Sequence, residues 1–238
     1  MARAYSITVN RDDVLSTLQT KFPSSATEDD YLDILNKIYP NYNAIATVDS
    51  ISVPDGNRTE GVYSNVAYTG GSGTGATFTI TIDDTGAASI AVGYGGRGYV
   101  IDDTITVADS ELGGGGGPSL TFDVATVTAN SSKEITFNRN ISRTSKHRTL
   151  VAQFGDGYEQ RVLDGINSKT ETFALLFSNR DWEEVELLSA LFDAKAAQSF
   201  NIVLQRESLK VVCDDYNVMY SQSTIHTISA NVRRVYEP

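Results

Sequence analysis

Between Ala44 and about Thr128, short runs rich in β-branched residues are cut apart by clusters of glycine. "ATFTITI" (76–82), "AASIAV" (87–92), "DTITVA" (103–108) and "SLTFDVATV" (119–127) largely alternate apolar with polar side chains, and "GGSGTG", "DDTG", "GYGGRG" and "GGGGG" separate them. A period of two places successive side chains on opposite faces of a strand, and the glycine clusters between them are turn chemistry. The stretch reads as a small all-β module. Its five consecutive glycines, 113–117, imply either a flexible loop or a close approach of two backbones.

The flanks have a different texture. Asp12 can cap a short helix with Val14, Leu15, Leu18 and Phe22 on one face, closed by Pro23; Thr27 can cap a second, with Tyr31, Ile34, Leu35 and Ile38 on one stripe, ended by Pro40. Two such helices cannot make a core alone, so they are expected to dock on a sheet or a neighbouring subunit. After Ile135, "HRTLVAQF" (147–154), "KTETFALLF" (169–177), "SFNIVLQ" (199–205), "SLKVVC" (208–213), "YNVMYS" (216–221) and "STIHTISANVRRVY" (223–236) return to β patterns. One segment stands apart. "RDWEEVELLSALFDAKAA" predicts a helix over 181–197, with Asp181 and Glu184 at capping-box spacing and Trp182, Val185, Leu188 and Phe192 on its core-facing side.

These patterns predict a mainly β chain with few helices, of the α+β class, in three parts: a helical segment at 1–43, a glycine-rich all-β module at 44–130, and a β domain at 131–238 with its helix laid against an antiparallel sheet or barrel. The formal net charge is −11, with 17 acids against 8 bases in residues 1–140 and 13 against 11 thereafter. So acidic a chain lacks the basic stripe that nucleic-acid binding needs. The single cysteine, Cys213, excludes an intrachain disulfide framework and fits folding in a reducing cytoplasm. No apolar run reaches the ~18 residues of a membrane span. The first residues contain no apolar secretory core, so no leader is expected and the N-x-S/T matches at Asn57, Asn130 and Asn140 read as fortuitous.

Catalytic signatures are missing. "GYGGRG" (93–98) formally matches a dinucleotide fingerprint, but "YVIDDTITV" follows it where a phosphate-receiving helix would have to begin. The Asp pairs 83–84, 102–103 and 214–215 lack the spacing of a calcium loop and read as turn carboxylates. His147 and His226 both fall in β patterns, and Cys213 reads as a small buried hydrophobe. Acids are plentiful, yet nothing singles out a pair for glycoside cleavage. No metal site, cofactor or enzyme activity is expected.

The most distinctive stretch is "FGDGYEQR", 154–161. Asp156-Gly157 is a strong two-residue hairpin signal, because a type I′ turn needs positive φ at both central positions. Phe154 and Tyr158 can then pair across the strands, and both Gly155 and Gly157 are expected to need glycine's backbone freedom.

With its sequel "VLDGIN", this stretch resembles the motif of the phage minor tail protein family typified by the lambda tail-tip protein M. The resemblance rests on Phe154, Gly155, Asp156, Gly157, Tyr158, Gln160, Arg161, Gly165, Ile166 and Asn167, followed in order by the strand 169–177, the helix 181–197, Phe200 and "ISANVRRVYEP". It covers about 146–238 and departs where the family has F-x-W-T-P-P after the helix; this chain has "SFNIVLQRES". The glycine-rich module resembles β-rich segments of virion structural proteins, especially of phages infecting marine cyanobacteria, which would make it a decoration or contact module.

The resemblance implies a β-sandwich or barrel of the tail-tube and tail-tip type, in a virion protein made in the host cytoplasm. It implies a homohexameric ring at the distal end of the tail tube, contacting the tube protein above and the tail-tip or baseplate hub proteins below, with genome DNA passing through unbound. Two other classes remain open at this stage: a receptor-binding or fibre-attachment protein, suggested by the Gly/Tyr-rich module, and a tail-associated glycan hydrolase.

Overall fold

The computed structural model describes residues 4–22, 31–221 and 224–237. The expected helix stop Pro23, the expected cap Thr27, and Ser223 and Pro238 lie outside them. The chain forms two compact units, one made of residues 1–38 and 132–238, the other of residues 39–131.

It opens with strand β1 (Ala4–Asn10), then helices α1 (Arg11–Lys21) and α2 (Tyr31–Ile38). The N-terminal part is thus not purely helical: β1 pairs antiparallel with strands contributed from beyond residue 131. Asn10, not Asp12, stands at the N-cap of α1, its amide bonding the Asp13 carboxylate at 3.0 Å. Val14 and Leu18 of α1 and Ile34, Leu35 and Ile38 of α2 are buried, the faces their spacing predicts.

The inserted unit holds β2 (Ala44–Asp49), β3 (Gly61–Ser64), β4 (Thr69–Gly70), β5 (Thr74–Ile82), β6 (Ala88–Arg97), β7 (Thr104–Val107) and β8 (Leu120–Thr128). A four-stranded sheet, β2-β8-β7-β4, and a three-stranded sheet, β3-β5-β6, are both antiparallel. Phe78 of one and Phe122 of the other meet edge to face at 5.1 Å, amid Ile80, Ile82, Tyr99, Ile105 and Leu120. "GYGGRG" lies within and just after β6 and is followed by β7, with no helix to receive a phosphate. Asp83 organises its turn, its Oδ1 accepting from the Thr85 and Ala87 N–H groups at 2.9 Å each. Within the glycine run, a Cβ on Gly115 would stand 2.2 Å from the Asn57 carbonyl oxygen, so two backbones do approach there.

Beyond it come β9 (Ser132–Thr136), β10 (Ser142–His147), β11 (Thr149–Gln153), β12 (Glu159–Leu163) and β13 (Lys169–Arg180). Helix α3 (Trp182–Ala194), β14 (Phe200–Gln205), β15 (Glu207–Met219) and β16 (His226–Arg234) complete the chain. "SLKVVC" and "YNVMYS" are one strand, β15, interrupted by a bulge between Cys213 and Asp215. An antiparallel seven-stranded sheet runs β10-β13-β16-β15-β14-β1-β9. Its β9 end curls round to β13: the Asn138 N–H donates to the Leu176 carbonyl at 2.8 Å, and the Phe137 and Phe177 rings lie 5.7 Å apart. The sheet is therefore rolled towards a barrel.

Phe173, Leu175 and Phe177 of β13, Ile228, Ala230 and Val232 of β16, Leu209 and Val211 of β15 and Ile7 and Val9 of β1 form its inner face. Every residue from Val185 to Phe192 of α3 is buried, as suits a helix covered on more than one side. Not one helix but three pack here. Phe22, just after α1, meets Trp182 edge to face at 5.4 Å, Lys195 reaches Asp13 at 2.8 Å, and Lys37 reaches Glu183 at 2.8 Å. The expected capping box does not form: Asp181 makes no side-chain cap, and Glu184 pairs instead with Arg180 at 3.1 Å.

Candidate assembly interface

β11 and β12 belong to neither large sheet; among the described residues they pair only with each other, from Thr149↔Leu163 to Gln153↔Glu159. Phe154 closes the ladder, its N–H donating to the Tyr158 carbonyl at 2.8 Å, which leaves Gly155, Asp156 and Gly157 as a three-residue tip. Asp156 (φ 70°) and Gly157 (φ 79°) both have positive φ, as the Asp-Gly pair predicts, but the loop is one residue longer than a type I′ turn. Gly155 is not left-handed and a Cβ there meets nothing within 4 Å, so the expectation that it must be glycine is corrected.

The register sorts the side chains into two faces, because opposed residues share a side and neighbours along a strand do not. Leu150, Ala152 and Phe154 lie opposite Val162, Gln160 and Tyr158, and none of these six is charged. Thr149, Val151 and Gln153 lie opposite Leu163, Arg161 and Glu159 on the other face. There Arg161 pairs with Glu159 at 2.6 Å and Gln153 donates to it at 3.1 Å, contacts that hold the Glu159 carboxyl below its usual range, Arg161 foremost. One face is thus uncharged and largely apolar, whereas the other sets the Arg161–Glu159 pair beside exposed Val151 and Leu163.

Within its own unit, none of the described residues covers the apolar face. Leu150 is 61 % exposed, Phe154 52 %, Tyr158 67 % and Val162 55 %. A two-stranded ribbon without a layer against it is marginally stable in water, and uncovered apolar surface of this kind marks an interaction site. The motif reads accordingly: Phe154, Tyr158 and Gln160 belong to the uncovered face, Arg161 to the charged one, and Asp156 and Gly157 to the tip. Leu150 and Val162, which complete the face, carry no motif signal; only the hairpin register reveals them.

The ribbon's root is held firmly. Arg148 pairs with Asp164 at 2.6 Å, and the Arg148 N–H donates to the Ser168 carbonyl at 2.7 Å. Gly165 turns with φ 80°, Ile166 projects fully into solvent, and Asn167 is exposed beside Lys169. Below lies Glu171, whose side chain has no exposed surface and is covered by half-exposed cations. Lys169 stands 2.6 Å and Arg234 2.9 Å from it, and Arg143 of edge strand β10 also bonds it. These hydrogen bonds, from Lys169 and Arg143 first, pull its pKa down to about 2. The cluster ties β10, from which the ribbon springs, to β13 and β16.

Trp182 is partly buried, and Val185, Leu188 and Phe192 are fully in the core; these helix residues lie on α3, outside the ribbon. His147 is exposed at the end of β10, whereas His226 is buried and accepts from the Ser221 N–H at 3.3 Å. Burial pushes the Cys213 thiol up to about 11. Among the described residues no cluster of His, Cys, Asp or Glu could hold a metal, and no helix is long and apolar enough to cross a membrane.

No curated protein matches the chain. Residues 134–236 match the family model described as phage minor tail protein, a span that includes the ribbon, its root, the Glu171 cluster and α3. Over that span, which is less than half of the chain, the protein is similar to the phage minor tail protein family, and the match supports a structural role in the bacteriophage tail.

Proposed function

We propose that the protein forms a ring, six copies round, at the distal end of the tail tube, joining the tube protein to the tail-tip or baseplate hub. The family match supports a tail component, and the uncovered apolar face of the β11–β12 ribbon is the observation that favours the step to an assembled ring. A closed ring of identical subunits needs a patch on each that fits a different patch on the next. A rooted, protruding ribbon with one apolar face is suited to such a head-to-tail contact. The net charge of −11 would let DNA phosphates pass the assembly without adhering.

Native mass measurement and negative-stain imaging of the purified protein test the reading. Six-fold rings are expected, and the pair Phe154→Ser with Val162→Ser should leave folded monomers. A wild-type protein that stays monomeric at high micromolar concentration, and is absent from the distal tube in labelled virions, would sink it.

A further inference from the structure

The cations around Glu171 do more than satisfy it. Arg143, Lys169 and Arg234 all contact this one carboxylate, and beside them Arg233 pairs with Asp214 at 3.3 Å and Lys210 with Glu237 at 3.5 Å. The network sets five cations against three carboxylates. It stays positive when Glu207, which acts on Arg143 from further away, is added.

Next to the surplus is a cleft of about 380 Å³ lined by Asn167, Lys169, Thr170, Arg233, Arg234 and Tyr236. Its donors are not used up. Lys169 gives one contact to Glu171 and keeps further N–H groups; Arg234 bonds Glu171 through Nη1 alone. The Arg234 guanidinium lies 4.8 Å from the Tyr236 ring centre, which fixes its plane. Among the described residues the Thr170 hydroxyl and Asn167 amide make no hydrogen bond. Glu237 also lines the cleft, but Ser199 at 2.5 Å and Lys210 hold its carboxylate.

We propose that this cleft is a receptor for an oxyanion, a carboxylate or phosphate group held by Lys169 and the free edge of Arg234, with Thr170 and Asn167 as neutral donors. A planar guanidinium with an open edge matches two oxygens of such a group, and an ammonium adds a point charge beside it. Excess charge in a concave surface concentrates the counter-ion. The group can be a free anion or an acidic side chain of a second copy, whose residues 39–131 carry ten acids against two bases.

The full-length protein is titrated with sodium sulfate, against sodium chloride at matched ionic strength, following side-chain and amide resonances by NMR. Saturable shifts confined to Asn167, Lys169, Thr170 and Arg234 are expected with sulfate only. Lys169→Gln leaves Glu171 its two arginines, so it should fold, and should weaken sulfate at least about fivefold, a loss of ~1 kcal/mol; Lys133→Gln on β9 should not. Equal responses to the two salts, or unchanged affinity in folded Lys169→Gln, would overturn the proposal. Sedimentation distinguishes the sources. Sulfate that dissociates assembled copies assigns the site to a neighbour's carboxylate, and sulfate that binds without doing so assigns it to a free anion.

Discussion

Glu171 is the residue on which the ribbon's root depends. Its folded pKa of about 2 lies below the ordinary 4.5, so the stability it contributes is complete above about pH 4.5 and is lost as pH falls towards 2. Thermal melts between pH 6 and 2 should show a steeper acid loss in the wild type than in Glu171→Gln. At neutral pH that variant leaves three partly exposed cations to solvent and should cost about 1–2 kcal/mol. At the ribbon tip, Gly157→Val forces a β-branched residue to φ 79° and should cost ~1–2 kcal/mol of hairpin stability, whereas Gly155→Ala should be silent. Hydrogen exchange of the Phe154 amide would report both. The sequence foretold positive φ at Asp156 and Gly157, because Asp-Gly is turn chemistry. It gave no warning of Glu171, one acid among thirty, whose partners come from three strands.

Among the elements, α3 was the most legible, since Trp182, Val185, Leu188 and Phe192 recur at helical spacing. What the pattern did not disclose is that the helix is covered beyond its predicted stripe: Glu186 and Ser189 are buried too, and Lys21 of α1 contacts both. Leu188→Ala should therefore cost about 2–5 kcal/mol, measured by denaturant unfolding. β1, β9 and β10 went unread: "SRTSKH" has no apolar alternation, and its pairing with β13 is set by the sheet edge. The ribbon was legible as a hairpin but not as an amphipathic one. Which face a residue takes depends on register, and register depended on a tip one residue longer than Asp-Gly suggests.

At the scale of the molecule, acidity is concentrated in the inserted unit, where ten acids oppose two bases, while residues 132–238 carry fourteen against thirteen. The glycine-rich stretch announced its β character through alternation and turns. That one unit should be built from both ends of the chain was not visible, because β1 reads as a short unremarkable run and its partners begin more than 120 residues away.

The inserted unit starts and finishes side by side: Ala44 pairs with Thr128, and the Asn130 amide reaches the Asn41 carbonyl at 3.1 Å. A module whose two ends meet is an exchangeable cassette. Replacing residues 41–130 with a short Gly-Ser bridge should leave a folded, cooperatively melting remainder, checked by circular dichroism and calorimetry. If so, the same framework can be refitted with other inserted modules, and a lineage could exchange this unit while the sheet that carries it stays as it is.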